Sequence, residues 1–263
     1  MAAAVAAGAR PPGRPALVEA ARDLRTPGAE HEACLVLHDV SVAYGRQLVL
    51  AGVSADIPRG ELVSVVGPNG SGKSTLLKAI AGLLPLAGGR VTLFGQPIDD
   101  MRRSIAYVPQ REDVDWQFPV SVRDVVMMGR YPHAHWLGQL GDDDRRAADD
   151  AMRHVGIEDL AERQIGSLSG GQQRRAFIAR AIAQDPEVIL LDEPMSGIDA
   201  ATHDRILDLF DEWRAAGKVV LQATHAHIHG GSTIVLRRRR DPISAEHYEH
   251  HAHEGGEHHH HDR

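Results

Sequence analysis

With 263 residues, 43% of them hydrophobic and 25% charged, the chain suits one or two domains with a sizeable buried core. A net charge of −7 gives no basic footprint for nucleic acid, and no apolar stretch reaches the ~18 residues that suggest a membrane span. The single cysteine, Cys34, excludes an internal disulfide framework and fits a reducing cytosol, and the Arg- and Pro-broken start lacks the order of a secretory signal.

In chain order, residues 1–32 are rich in Ala, Pro, Gly and Arg without sustained periodicity and read as a flexible extension. The runs CLVLHDVSVAYG and LVLAGVSADI alternate as antiparallel strands do. ELVSVVG is a short apolar run ending in glycine, the pattern of a buried parallel strand, and helical spacing follows over Lys73–Ala81. RVTLFG and SIAYVPQ predict further strands. From about 112 to 170 the periodicity is helical, in SVRDVVMMGR and DDDRRAADDAMRHVG, and predicts a mainly helical subdomain. EVILLDEP and KVVLQAT predict strands flanking a helix over AATHDRILDLFDEWRAAG. Strand, helix and strand in this order predict an α/β fold with a parallel sheet and a helical insertion. From about 237 the chain is Arg-rich and then His-rich.

Residues 67–75, GPNGSGKST, fit G-x-x-x-x-G-K-[ST]. Gly67, Gly70 and Gly72 let the backbone wrap closely and aim N–H groups inward, with Pro68, Asn69 and Ser71 completing the loop. The following helix, opened by Lys73, Ser74 and Thr75, turns its positive end toward the same point. Lys73 is suited to neutralise β- and γ-phosphates and Ser74 to help hold Mg²⁺. This loop alone leaves kinases, GTPases and many ATPases open. In VILLDEP four apolar residues precede Asp192 and Glu193. A strand buried on both faces first releases carboxylates at its C-terminal edge, where α/β sheets bind ligands. Asp192 then suits Mg²⁺, and Glu193 suits polarising an attacking water.

A second glycine pair, in LSGGQ at 168–172, opens another helix. The order of Walker A loop, LSGGQ and Asp-Glu-Pro resembles the nucleotide-binding subunit of an ABC transporter, over roughly residues 34–236. That resemblance implies a P-loop NTPase core with a parallel sheet, an antiparallel β subdomain and a helical subdomain, as one ATPase domain at 33–236. It implies that Tyr44 stacks on adenine, that Gln110 senses Mg²⁺ and water, that Asp199 is the D-loop aspartate, and that His225 contacts the γ-phosphate. It implies that Ser169, Gly170, Gly171 and Gln172 close over ATP held by a second copy of the chain. Two copies would then sandwich two ATP molecules and drive membrane permease subunits, on the cytoplasmic face of the membrane. An extracytoplasmic metal-binding protein would be served indirectly.

Residues 114–131, VDWQFPVSVRDVVMMGRY, are similar to the corresponding stretch in cassettes of manganese, zinc and iron importers. Trp116 and Phe118 fit permease contacts or core aromatics alike. In the tail, His250, His251, His253, His258, His259, His260 and His261 interleave with Glu254 and Glu257, and neutral imidazoles suit Zn²⁺ better than Mn²⁺. The tail reads either as a zinc buffer or as an uncharged extension. After His225 the family's aspartate is absent and room for the following helix is short, so the last layers of the sheet are expected to be reduced. Competing readings are an iron-chelate importer cassette, a soluble ABC ATPase of DNA repair or ribosome work, and a regulatory metal-binding relative.

Overall fold

The computed structural model describes residues 33–110, 114–134, 139–196, 202–224 and 231–237, with the backbone alone of 21–22 and 200–201. Within them a six-stranded sheet forms the centre. Its order is β1 (Ala21–Arg22), β10 (Ser232–Val235), β4 (Leu62–Val66), β9 (Val219–Thr224), β8 (Val188–Asp192) and β7 (Ile105–Val108). All pairings are parallel except that of β1 with β10. Every residue of β4 and of β8 is buried, which explains why both are almost wholly apolar, Ser64 and the terminal Asp192 apart: helices or a second sheet cover both faces.

Alternate residues divide between two cores. Val65, Leu190 and Leu221 pack with α1 (Lys73–Ile80) and with a four-stranded antiparallel sheet, of order β3 (Gln47–Pro58), β2 (Ala33–Tyr44), β5 (Gly88–Leu93) and β6 (Gln96–Pro97). Ile189, Leu191 and Val220 pack on the other face with α4 (Gly170–Gln184) and α5 (Ala200–Ala215), where Phe210 and Trp213 stack at 6.1 Å. That core runs on into the helical region, through α2 (Val122–Met127) and α3 (Asp142–His154). The α2 start is set by a capping box: Ser121 Oγ accepts from Asp124 N at 3.1 Å and the Asp124 carboxylate accepts from Ser121 N at 3.0 Å. The Ser121 hydroxyl also donates to that carboxylate, which holds its pKa below the usual range.

The predicted helix over 121–130 is shorter than expected. It passes at Met128 into a 3₁₀ segment, Met128–His133, that contains Pro132, a residue without an N–H to continue an α-helical ladder. At the far edge the structure also departs from expectation. Although only residues 225–231 separate β10 from β9, β10 is present and pairs with β4 from Ser232↔Val63 to Val235↔Val66. Inside the predicted flexible extension, Ala21 and Arg22 pair with Val235 and Ile234, so the sheet's last long strand is not its outermost.

One buried side chain in this sheet is unsatisfied. Gln222, wholly buried in β9 and opposite Ser64 and Leu191, has neither amide atom hydrogen-bonded. Such an amide costs about 1–3 kcal/mol. Gln222→Leu is therefore expected to stabilise the fold by that order, read as a higher urea midpoint at unchanged m-value. A lower midpoint would mean that the amide is satisfied in solution.

Candidate functional site

The loop after β4 leaves the sheet at its C-terminal edge and turns into α1. At Gly67 a side chain is crowded out: an added Cβ would lie 2.5 Å from Leu236 O and 2.5 Å from the buried Ser71 Oγ. Leu236 is fixed there by its own N–H, which donates to Val66 O at 2.7 Å. Gly72, the N-cap of α1, has φ 98°, a conformation that favours glycine, and packs against Leu50 of β3. The antiparallel sheet thereby buttresses the loop from one side and β10 from the other.

Inside this loop Lys73 Nζ donates to Gly67 O at 2.9 Å and to Pro68 O at 3.4 Å, so its ammonium lies within the ring of backbone. A cleft of about 360 Å³ opens beside it, lined by Asn69, Gly70, Gly72, Lys73, Ser74, Thr75, Gln110 and Glu193. The strand ends meet here. Asp192, the last residue of β8, is completely buried and accepts from Ser74 Oγ at 3.0 Å and from Tyr107 Oη at 3.2 Å. Burial pushes its carboxyl up from the usual value, and the two hydroxyls only partly offset that. Glu193 Oε2 accepts from Gln110 Nε2 at 3.2 Å. Its backbone has φ 50°, a left-handed conformation that is costly for a residue with a side chain. The Glu193 N–H donates to Ala223 O at 3.1 Å, which ties the exit of β8 to that of β9.

The donor set fits a phosphate chain with a hard divalent cation. The glycine-rich loop, through Asn69, Gly70 and Gly72, and Lys73 line the cleft. Ser74 hydroxyl, Asp192 carboxylate and Gln110 amide supply the oxygens that Mg²⁺ prefers.

The signature residues lie elsewhere on the chain. Ser169 caps α4 through a box with Gln172: Ser169 N donates to Gln172 Oε1 at 3.0 Å, and Ser169 Oγ accepts from Gln172 N at 3.4 Å. Ser169 is exposed, and none of Ser169, Gly170, Gly171 or Gln172 lines the cleft of their own chain. Tyr44 ends β2, 51% exposed, at the turn into β3. Asp199, His225 and the tail histidines lie outside the described residues. Among the described residues no cluster of three or more His, Cys, Asp or Glu is placed to hold a metal ion.

Two residues that the sequence reading passed over belong to the site. Tyr107 supplies the second hydroxyl on Asp192 from 85 positions away, and the hint was a polar-tipped aromatic in an otherwise apolar strand. Arg174 of α4 reaches the main chain at both strand exits. Its hint was a pair of arginines in a helix whose neighbours are buried.

Fold and cleft together define a P-loop nucleotide-binding cassette. The chain belongs to the ABC transporter family, whose profile matches residues 50–196. It is 48% identical over 187 residues to the zinc transport system ATP-binding protein TroB of Treponema pallidum, covering 71% of this chain and 70% of that one. It is 47% identical over 189 residues to the manganese transport system ATP-binding protein MntB of Bacillus subtilis, covering 72% and 76%. Among solved structures it resembles the dimeric structure of MJ0796, a bacterial ABC transporter cassette, with TM-score 0.68 and 29% identity over 77% of this chain and 94% of that one. It also resembles cbiO1 from Clostridium perfringens, part of the transporter complex cbiONQ, with TM-score 0.60 and 31% identity over 74% and 79%.

Proposed function

We propose that this chain hydrolyses ATP in Mg²⁺-dependent fashion to energise the import of a divalent metal ion, zinc or manganese. The observation that carries the reading is the meeting of Lys73, Ser74, Gln110 and Glu193 around one cleft at the sheet's C-terminal edge, with Asp192 buried beside it on the Ser74 hydroxyl. The cargo is supported by relatives named for zinc and manganese transport.

In this reading the loop N–H groups and Lys73 bind the β- and γ-phosphates, and Tyr44 stacks on the adenine. Ser74, Asp192 and Gln110 would hold Mg²⁺, which when bound supplies charge neutralisation on the phosphate oxygens. Glu193, oriented by Gln110, accepts the proton of the water that attacks the γ-phosphorus. The P–O bond to ADP breaks, and inorganic phosphate and ADP leave. His225 and Asp199 are assigned to the γ-phosphate and to the D-loop.

The exposed Ser169 at an N-terminal helix end supports the pairing of two copies around ATP, since an anion site of this kind has no phosphate within its own chain. The permease would dock on the helical region, where Phe118 and Tyr131 are exposed. No helix among the described residues is long and apolar enough to cross a membrane. The domain limits follow the same reading: 1–32 an extension, 33–236 the ATPase with its helical part at about 112–170, and 237–263 a tail whose histidines buffer zinc.

The test is metal accumulation in cells lacking the chain, with zinc, manganese and iron measured together. Zinc or manganese uptake should fall and return with the full chain. Unchanged levels of both would contradict the reading. A chain ending at 240 should restore uptake less well when zinc is scarce, and equal restoration would remove the role given to the tail.

A further inference from the structure

We infer that Arg174 is a positioning residue that fastens the water-polarising Glu193 and the Gln110 turn to the signature helix, an assignment that rests on the ATPase reading above. Its guanidinium leaves α4 five positions past Ser169 and reaches under the C-terminal edge of the sheet. Nη1 donates to Pro109 O at 2.7 Å, Nη2 to Asp192 O at 2.8 Å and to Glu193 O, and Nε to Pro194 O at 3.3 Å. All four acceptors are main-chain carbonyls. Three belong to consecutive residues at the exit of β8, and the fourth is the residue before Gln110. A planar fork with five fixed donors can hold two chain segments at once in this way. A flexible ammonium, with three donors on a single nitrogen, cannot span the same four carbonyls.

Two features give the clamp a catalytic meaning. The first is strain. Glu193 sits at φ 50°, and a side-chain-bearing residue keeps such a conformation only where its surroundings over-determine it. Here its N–H is held by Ala223 O, and its carbonyl accepts from both Arg174 and Ser196 N, the latter at 3.1 Å. Without Arg174 the backbone can relax toward ordinary φ. The carboxylate then turns away from Gln110 Nε2, now at 3.2 Å. The second feature is topology. The N-terminus of α4 carries Ser169, the half-site for ATP on the second copy, whereas Glu193 serves ATP on its own chain. Arg174 joins these two half-sites within one chain. A movement of α4 as the copies close is passed to Glu193 and Gln110 by four hydrogen bonds.

The experiment compares full-chain wild type, Arg174→Gln and Arg174→Lys in ATP turnover against ATP concentration, with a thermal melt of each. Nucleotide-driven association is measured in the Glu193→Gln background with and without Arg174→Gln. For Arg174→Gln, kcat should fall about 10²-fold, the scale of a misplaced catalytic group, with KM within about threefold of wild type. Arg174→Lys should recover only part of the loss. The Hill coefficient for ATP should drop toward 1 as the two sites uncouple. ATP should still associate the Glu193→Gln, Arg174→Gln protein, because capture does not use the clamp. Turnover within about threefold of wild type, or a loss that merely tracks the unfolded fraction with the Hill coefficient unchanged, would overturn the assignment. Wild type that neither binds nor turns over ATP would instead overturn the ATPase reading, and this assignment with it.

Discussion

Glu193→Gln is expected to lower steady-state ATP turnover by about 10²–10⁴-fold, the range supplied by a positioned general base, while leaving ATP binding intact. The substitution is nearly isosteric, so the contact with Gln110, now 3.2 Å, has a partner of the same length. The backbone of residue 193 is held through its N–H and carbonyl whichever side chain it carries. What disappears is the carboxylate's capacity to take the proton of the attacking water. The Lys73 ring of backbone and the Ser74–Asp192 pair, which the proposed function assigns to phosphates and cation, are untouched. Turnover at saturating ATP and equilibrium nucleotide binding, measured on the same preparation, separate these effects. Turnover near the wild-type rate would move the base elsewhere.

Gly67→Ala is the second large effect, and it comes from a single methyl. The added carbon would stand 2.5 Å from Leu236 O and 2.5 Å from Ser71 Oγ. Leu236 O cannot retreat freely, and Ser71, whose hydroxyl has no hydrogen-bond partner among the described residues, is wholly buried. Leu236 is locked to Val66 O through its N–H, and Ser71 N donates to Pro68 O at 3.1 Å in the loop's own turn. Overpacking of this kind costs typically about 1–3 kcal/mol. The loop can shed that strain only by opening, which turns N–H groups away from the cleft. ATP affinity should therefore fall by roughly 5- to 150-fold, with a lower unfolding midpoint in the nucleotide-free protein. Wild-type affinity with a lowered midpoint would mean that β10 yields and the cradle does not. The same contact gives the exit of β10 a structural place: Leu236, the residue after that strand, walls the back of the phosphate loop.

The parts of the fold and site that were legible in the sequence are those with local signals. The fully buried strands β4 and β8 announce themselves as short, largely apolar runs because both faces are covered. The cradle is legible because close backbone approach requires glycine at fixed spacing. β10 was not foreseen: four residues followed by an arginine run carry little periodicity, and its burial comes from β4, about 170 positions earlier. The two-residue β1 has still less signal. Tyr107 and Arg174 escaped for another reason. The partner of Tyr107 lies 85 positions away and those of Arg174 between 18 and 65, and Arg174 bonds main-chain carbonyls, which any residue type presents. A motif names the groups that touch a phosphate. It does not name the groups that hold those groups still.

The reading that two copies complete each other's sites around ATP is tested most directly by X-ray scattering on Glu193→Gln protein at saturating ATP with Mg²⁺, beside the same protein carrying Ser169→Arg. The first should scatter as a compact dimer that dissociates when nucleotide is removed, and the second as monomers with ATP still bound. Monomers in both, at full nucleotide occupancy, would contradict it.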